Sequence, residues 1–223
     1  MTTTILAAGR PLTLLPEKAA FIAASRTLLV ADAHIGKAVS FRALGVPVPR
    51  GTTSETLAAL TALVQRWRAR RVVFLGDFLH SARSHAAATI ATVSDWREAH
   101  AGLELVLVRG NHDDHAGDPP KHLRMEVVDE PLAADGFALC HHPRPRTGAY
   151  VLAGHLHPCV SLGGRGRDHL RLPCFWFGDA VGVLPAFGAF TGMHPIRAAA
   201  GERVFAVGDG RVAMLPPLER RAA

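Results

Sequence analysis

The chain has 223 residues, with 25 Lys+Arg against 19 Asp+Glu for a net charge of +6, and 48% of it is hydrophobic. This composition is that of a globular protein, not a disordered, collagen-like or coiled-coil one, and the length suits one domain over 1–223 with a sizeable core. No apolar run nears the roughly 20 residues of a membrane-spanning helix, and Arg10, Pro11, Pro16, Glu17 and Lys18 come before the first long apolar stretch, an order unlike a secretory signal.

In chain order, Thr27–Ala31 (TLLVA) reads as a buried strand. Thr52 and Glu55 have the spacing of a capping box, and Leu57, Leu60, Leu63, Val64 and Trp67 follow at helical intervals. Val72–Leu75 is a second strand, Ser84 is placed to cap a helix running to about His100, and Leu103–Val108 is a third strand. This alternation predicts a mainly parallel sheet covered by helices. The last third reads as strands: Phe137–Cys140, Tyr150–Ala153, Leu170–Phe177, Ala186–Phe190, and a hairpin of Val204–Val207 with Val212–Leu215 around Gly208-Asp209-Gly210. These predict a second sheet packed on the first. Gly163–Arg171, rich in glycine and arginine, reads as an exposed insertion.

Cys140, Cys159 and Cys174 form no C-x-x-C pair and fit reduced, buried thiols in a cytoplasmic protein. Only Lys18, Lys37 and Lys121 are lysines, so the basic charge is almost all arginine, and thirteen histidines accompany it. Guanidinium groups suit a polyanionic partner, although solvated surface accounts for any single arginine equally well.

The histidines are not scattered. Asp32-Ala33-His34 follows the first strand, Asp77 the second, and Asn111-His112-Asp113 the third. His141-His142 and His155-Leu156-His157 follow the next two. Each piece alone is weak, since a Gly-Asp after a strand is usually a turn. Five strands that all end in carboxylate, amide or imidazole groups are a different matter, because strand carboxyl ends form the ligand crevice of open α/β sheets. Such oxygen and nitrogen donors, with no thiolate, suit two hard or borderline divalent ions such as Mn²⁺, Fe²⁺ or Zn²⁺. An aspartate can bridge ions about 3.5–4 Å apart, and a water held between them becomes the nucleophile for in-line attack at phosphorus.

Asp32-x-His34, Gly76-Asp77, Gly110-Asn111-His112-Asp113, His141 and Gly154-His155-x-His157 resemble, in order, the five motifs of the calcineurin-like metallophosphoesterases. The resemblance implies a four-layer α/β/β/α sandwich. It also implies a first metal on Asp32, His34 and His157, a bridging Asp77, and a second metal on Asn111, His141 and His155. His112 would stabilise the transition state or protonate the leaving oxygen, with Asp113 orienting it. The family's second motif often has a further Asp where this chain has His80, which is read as a polar contact and not a ligand. His141 is favoured over His142 because it directly follows the strand, so that His142 faces elsewhere.

Gly36-Lys37 to Arg42, Pro47 to Thr53, His80 to Arg83, Leu170 to Phe175 and Leu184 to Gly192 resemble, more narrowly, the bacterial DNA ligase-associated metallophosphoesterases. That implies a Mn-dependent phosphodiesterase or endonuclease acting on DNA in repair, beside an ATP-dependent DNA ligase, a helicase and an exonuclease. Lys37, Arg42, Arg83 and Arg144 are the expected phosphate contacts, with Arg146, Arg165 and Arg167 in further loops, and Phe41, Phe78 and Trp176 are candidate stacking surfaces. The alternatives are a small-molecule phosphoesterase with the same centre, and a non-catalytic repair scaffold. The complete set of motif residues speaks against the scaffold.

Overall fold

The computed structural model describes residues 1–48, 51–163 and 169–216. Seven strands make the first sheet in sequence order: β1 (Thr3–Ala7), β2 (Arg10–Leu14), β3 (Ala20–Ile22), β4 (Thr27–Val30), β5 (Arg71–Leu75), β6 (Glu104–Val108) and β7 (Glu126–Val128). β1 to β4 pair antiparallel and β4 to β7 pair parallel, so only half of this sheet has the parallel character read from the sequence. Helices α1 (Lys37–Ala43), α2 (Thr52–Trp67), α3 (Ala87–Ala99) and α4 (Asn111–Ala116) fill the connections between the parallel strands.

Among the described residues the second sheet has nine strands: β8 (Leu132–Ala134), β9 (Phe137–Leu139), β10 (Tyr150–Ala153), β11 (Pro158–Gly163), β12 (His169–Phe177), β13 (Val181–Val183), β14 (His194–Pro195), β15 (Arg203–Gly208) and β16 (Arg211–Met214). β9, β10 and β13 run parallel, so their carboxyl ends lie on one edge. The β15–β16 turn has φ 48° at Asp209 and 66° at Gly210, the positive angles that the hairpin signal requires.

Alternation along the central strands explains the layering. Leu29, Ala31, Val73, Leu75, Val106 and Val108 face the second sheet and pack with Leu139, Leu152, Phe175 and Phe205. Their neighbours Leu28, Val30, Val72, Phe74, Leu105 and Leu107 face the helices and pack with Leu57, Leu60, Leu63, Val93 and Trp96. A strand buried on both faces needs an unbroken apolar run, which is what TLLVA, VVFL and LELVLV supply. On the outer face of the second sheet lie Ala138, Cys140, Val151 and Ala153. There Pro143, Pro145, Trp176 and Val181 border a cavity of about 280 Å³, and among the described residues no helix follows Leu123. The three cysteines are free and buried, and no described helix is long and apolar enough to cross a membrane.

Several local expectations differ. Gly51, at φ 89°, precedes α2 in place of a Thr52 cap. Ser84 closes a short 3₁₀ turn with Ser81, and α3 begins only at Ala87. Ala186–Phe190 is not a strand. It is a strap joined to the first sheet by the Ala31–Ala186 bridge and by Phe187 N–H to Ala31 O at 2.8 Å. The predicted insertion falls largely outside the described residues, as do Pro49, Arg50, Arg165 and Arg167.

Leu29 is fully buried between the two sheets. Leu29→Ala is expected to lower unfolding free energy by about 2–5 kcal/mol, measured by denaturant titration. A loss below about 0.5 kcal/mol, the range of ordinary surface changes, contradicts this packing.

Candidate metal centre

The sequence motifs leave the ends of β4, β5, β6, β9 and β10 and meet at one edge. Close approach depends on glycine. Gly76 has φ 80°, and a Cβ there would stand 2.0 Å from His141 Nδ1. At Gly110 a Cβ would stand 2.3 Å from Asp77 Oδ1. The residues that follow carry more unusual backbone still: Asp32 (φ 52°), His34 (46°), Asp77 (53°), His155 (71°) and His157 (48°) all occupy the left-handed region. Each such residue costs on the order of 1 kcal/mol or more and persists only where its surroundings enforce it.

The enforcing contacts are specific. His155 N–H donates to both Asp32 oxygens, at 3.1 and 2.9 Å. His112 N–H donates to Asp77 Oδ1 at 2.9 Å, and His34 N–H to the Asp77 carbonyl at 2.9 Å. Asp113 accepts from Leu79 N–H and Gly110 N–H, both at 3.0 Å. It therefore braces the loops that carry Asp77 and Asn111, while the His112 ring is held by the His80 carbonyl, which accepts from Nδ1 at 2.7 Å.

Backbone carbonyls also set which imidazole nitrogens keep a lone pair. His141 Nδ1 donates to Leu75 O at 3.0 Å, leaving Nε2 facing Asn111 Oδ1 at 2.9 Å and Asp77 Oδ1 at 3.5 Å. His157 Nδ1 donates to Gly192 O at 3.2 Å, so its Nε2 faces His34 Nε2 at 3.2 Å and Asp32 Oδ1 at 3.5 Å. His155 Nδ1 lies 3.0 Å from His141 Nε2. The donor atoms of Asp32, His34 and His157 lie within 4.8 Å of one another, as do those of Asp32, Asp77 and His141. Lone pairs aimed at lone pairs repel unless protons or cations lie between them, so this donor set fits divalent metal ions.

The electrostatics agree. Burial, and then the neighbouring Asp32 charge, push the Asp77 carboxyl up to about 6. Burial likewise raises Asp113 to about 6. The imidazoles move the other way: burial drives His34 far below its usual range, with Lys37 and the neighbouring histidines adding to the effect. Burial also lowers His141 and His155.

All of the expected ligands, Asp32, His34, Asp77, Asn111, His141, His155 and His157, converge here. His80 stands close by, with Nδ1 3.4 Å from His34 Nδ1 and its ring stacked on His112 at 4.8 Å and 24°. His142 does not face elsewhere, since its ring lies 4.8 Å from that of His155. Lys37 is half-buried beside the centre, its ammonium 5.8 Å from the Phe41 ring centroid. Burial lowers its pKa while Asp32 and Asp77 oppose the shift. Arg42, Arg83 and Arg144 are exposed. Phe78 is only 2% exposed and packs in the helix-side core, so it offers no stacking surface. A cleft of about 380 Å³ opens between His155, Leu156, His157, Gly192, Met193 and His194. Sequence reasoning missed Gly192 and Leu75, which act through their carbonyls, and Glu130, which accepts from the N–H groups of His141 and His142.

Two outcomes follow. Gly76→Ala is expected to weaken divalent metal binding at least tenfold by calorimetry, whereas Gly102→Ala, with open space around it, serves as control. Equal affinities refute the packing of Gly76 on His141. Second, without metal the raised Asp77 pKa contributes stability below about pH 4 that is lost as pH rises through about 6. The lowered histidines contribute stability above the usual imidazole value, lost as pH falls. Protons compete with metal at both kinds of donor. Added Mn²⁺ should therefore raise the melting temperature more at pH 7.5 than at pH 5, and equal shifts contradict the assignment.

No protein-family model matches the chain, and no curated protein does. Among solved structures, the Pseudomonas putida nuclease MPE is 46% identical, covering 96% of this chain and 100% of its own, with a TM-score of 0.86. Yfce, a phosphoesterase from E. coli, overlaps 85% of this chain and 97% of its own at 14% identity and a TM-score of 0.41, too distant to bear on the site. The ordered motifs, the convergent donors and the near-complete overlap with the nuclease lead to one conclusion: the chain belongs to the calcineurin-like metallophosphoesterases.

Proposed function

We propose that the protein is a Mn-dependent phosphodiesterase acting on DNA. Asp32, His34 and His157 hold one ion, Asn111, His141 and His155 hold a second, and Asp77 is shared. The observation that carries the reading is the convergence of imidazole nitrogens on two buried carboxylates, at distances that call for a proton or a cation between them. Two bound divalent ions supply the Lewis acidity that activates water and neutralises charge on the phosphoryl group.

The chain's own groups do the rest. Nδ1–H of His112 is committed to the His80 carbonyl, so in its imidazolium form the ring has Nε2–H left to protonate the leaving oxygen, and it returns to the neutral ring as it does so. His80, stacked against that ring, steadies it. Lys37, Arg42, Arg83 and Arg144 neutralise and orient the phosphate backbone without reading its sequence. The net charge of +6 and the nuclease identity of the 46%-identical relative support a nucleic-acid diester as substrate. The mixed oxygen and nitrogen donors fit Mn²⁺, Fe²⁺ or Zn²⁺, and the resemblance to the ligase-associated subgroup favours Mn²⁺ among them. The resemblance to the ligase-associated subgroup supports work in DNA repair beside an ATP-dependent ligase, a helicase and an exonuclease.

The test is metal-reconstituted protein on supercoiled plasmid, a chromogenic phosphodiester and a chromogenic monoester. Plasmid nicking and diester hydrolysis that both require Mn²⁺ are expected. Monoester hydrolysis with intact plasmid overturns the nuclease reading in favour of a small-molecule phosphoesterase. His112→Ala is expected to lower kcat about 100-fold or more with metal stoichiometry unchanged, and undiminished turnover removes His112 from the proton-transfer role.

A further inference from the structure

Glu130 lies between β7 and β8, outside every motif, yet its carboxylate reaches the metal centre from behind. β9 ends at Leu139, and beyond it Cys140 N–H donates to Leu152 O at 3.0 Å and Gly154 N–H to His141 O at 3.2 Å. The chain then turns out of the sheet, and the N–H groups of His141 and His142 lose their strand partners. Both are taken by one oxygen: Glu130 Oε2 accepts from His141 N–H at 2.8 Å and from His142 N–H at 2.9 Å. The other oxygen lies 3.3 Å from His142 Nδ1 and 3.5 Å from Arg146 Nη2. The Glu130 side chain is 21% exposed, and the one oxygen meets both N–H groups directly.

We infer that Glu130 is a positioning residue for the second metal subsite, its carboxylate clamping the His141–His142 turn so that His141 Nε2 is held on Asn111 and Asp77. The inference rests on the two-ion reading above. The clamp fixes the backbone of His141, and the Leu75 carbonyl fixes its ring, so both ends of this one ligand are set by groups that do not touch the ion. No comparable contact joins Glu130 to Asp32, His34 or His157 among the described residues. Its loss is therefore selective for one subsite.

The experiment titrates metal-free protein with Mn²⁺ by calorimetry and follows Co²⁺ substitution by visible absorption, for wild type, Glu130→Ala and Glu130→Gln. The wild type is expected to bind two ions. Glu130→Ala should bind one with wild-type affinity and the other about 10–100-fold more weakly, with a changed Co²⁺ spectrum for that ion alone. Glu130→Gln keeps an acceptor oxygen for the two N–H groups and should restore the second affinity to within a few-fold. If Glu130→Ala does not fold, Glu130→Asp, one methylene shorter, is expected to show the same selective weakening. Wild-type affinity at both subsites in Glu130→Ala overturns the inference. So does equal weakening of both subsites that Glu130→Gln fails to restore, the mark of a merely structural residue. A wild type that binds fewer than two ions contradicts the two-ion reading itself, separately from any effect of Glu130.

Discussion

Two buried carboxylates at neighbouring strand ends, with imidazole lone pairs turned toward them, form the constraint on which the rest of this structure depends. Asp32 and Asp77 sit at the ends of β4 and β5 with almost no exposure. The Asp77 carboxyl responds to burial and to Asp32 by holding its proton up to about pH 6. Arginine or lysine pairs could have neutralised the acids. Lys37, whose ammonium interacts with both carboxylates, is itself half-buried and loses part of its own basicity there. Divalent cations resolve the conflict, because one ion satisfies a carboxylate and several imidazoles together.

The surrounding architecture can be understood as the cost of assembling that charge. Five of the converging residues hold left-handed backbone, and glycines at 76 and 110 admit side chains that any Cβ would displace. A double-sided apolar core offsets these costs: Leu29, Val73 and Val106 interlock with the second sheet, and Leu28, Val72 and Leu105 with the helices. Burial of this kind stabilises by about 25 cal/mol per Å² of apolar surface, so a core extending over both faces of β4, β5 and β6 can carry several strained residues at its rim. The carbonyls of Leu75, Gly192 and His80 then aim His141, His157 and His112. For these three rings a backbone carbonyl holds Nδ1, and the stacked His80 adds to it at His112.

The centre was more legible in the sequence than its supports. Parallel strands carry their ligands at their carboxyl ends, so TLLVA-D, VVFLG-D and LVLVRG-NHD announce a shared edge without any knowledge of the turn geometry. The N-terminal strands β1, β2 and β3 were not read, although Ala8 and Gly9, with φ 47° and 75°, make a two-residue hairpin turn of the same kind as the one read at Asp209-Gly210. Ala186–Phe190 has a strand's composition, but its backbone is spent on bridging to Ala31 and Asp32 and on leading the chain to Gly192. Ser84 and Thr52 showed capping chemistry that glycine conformation and a 3₁₀ turn superseded. Glu130 had no local signal at all. Its partners lie eleven and twelve residues away, across the β8–β9 hairpin, and only the folded chain brings them together.

The most direct test of the central claim is an anomalous difference map from crystals grown with Mn²⁺. Two peaks are predicted, one among Asp32, His34 and His157 and one among Asn111, His141 and His155, with Asp77 contacting both. A single peak, or peaks away from Asp77, would contradict the account.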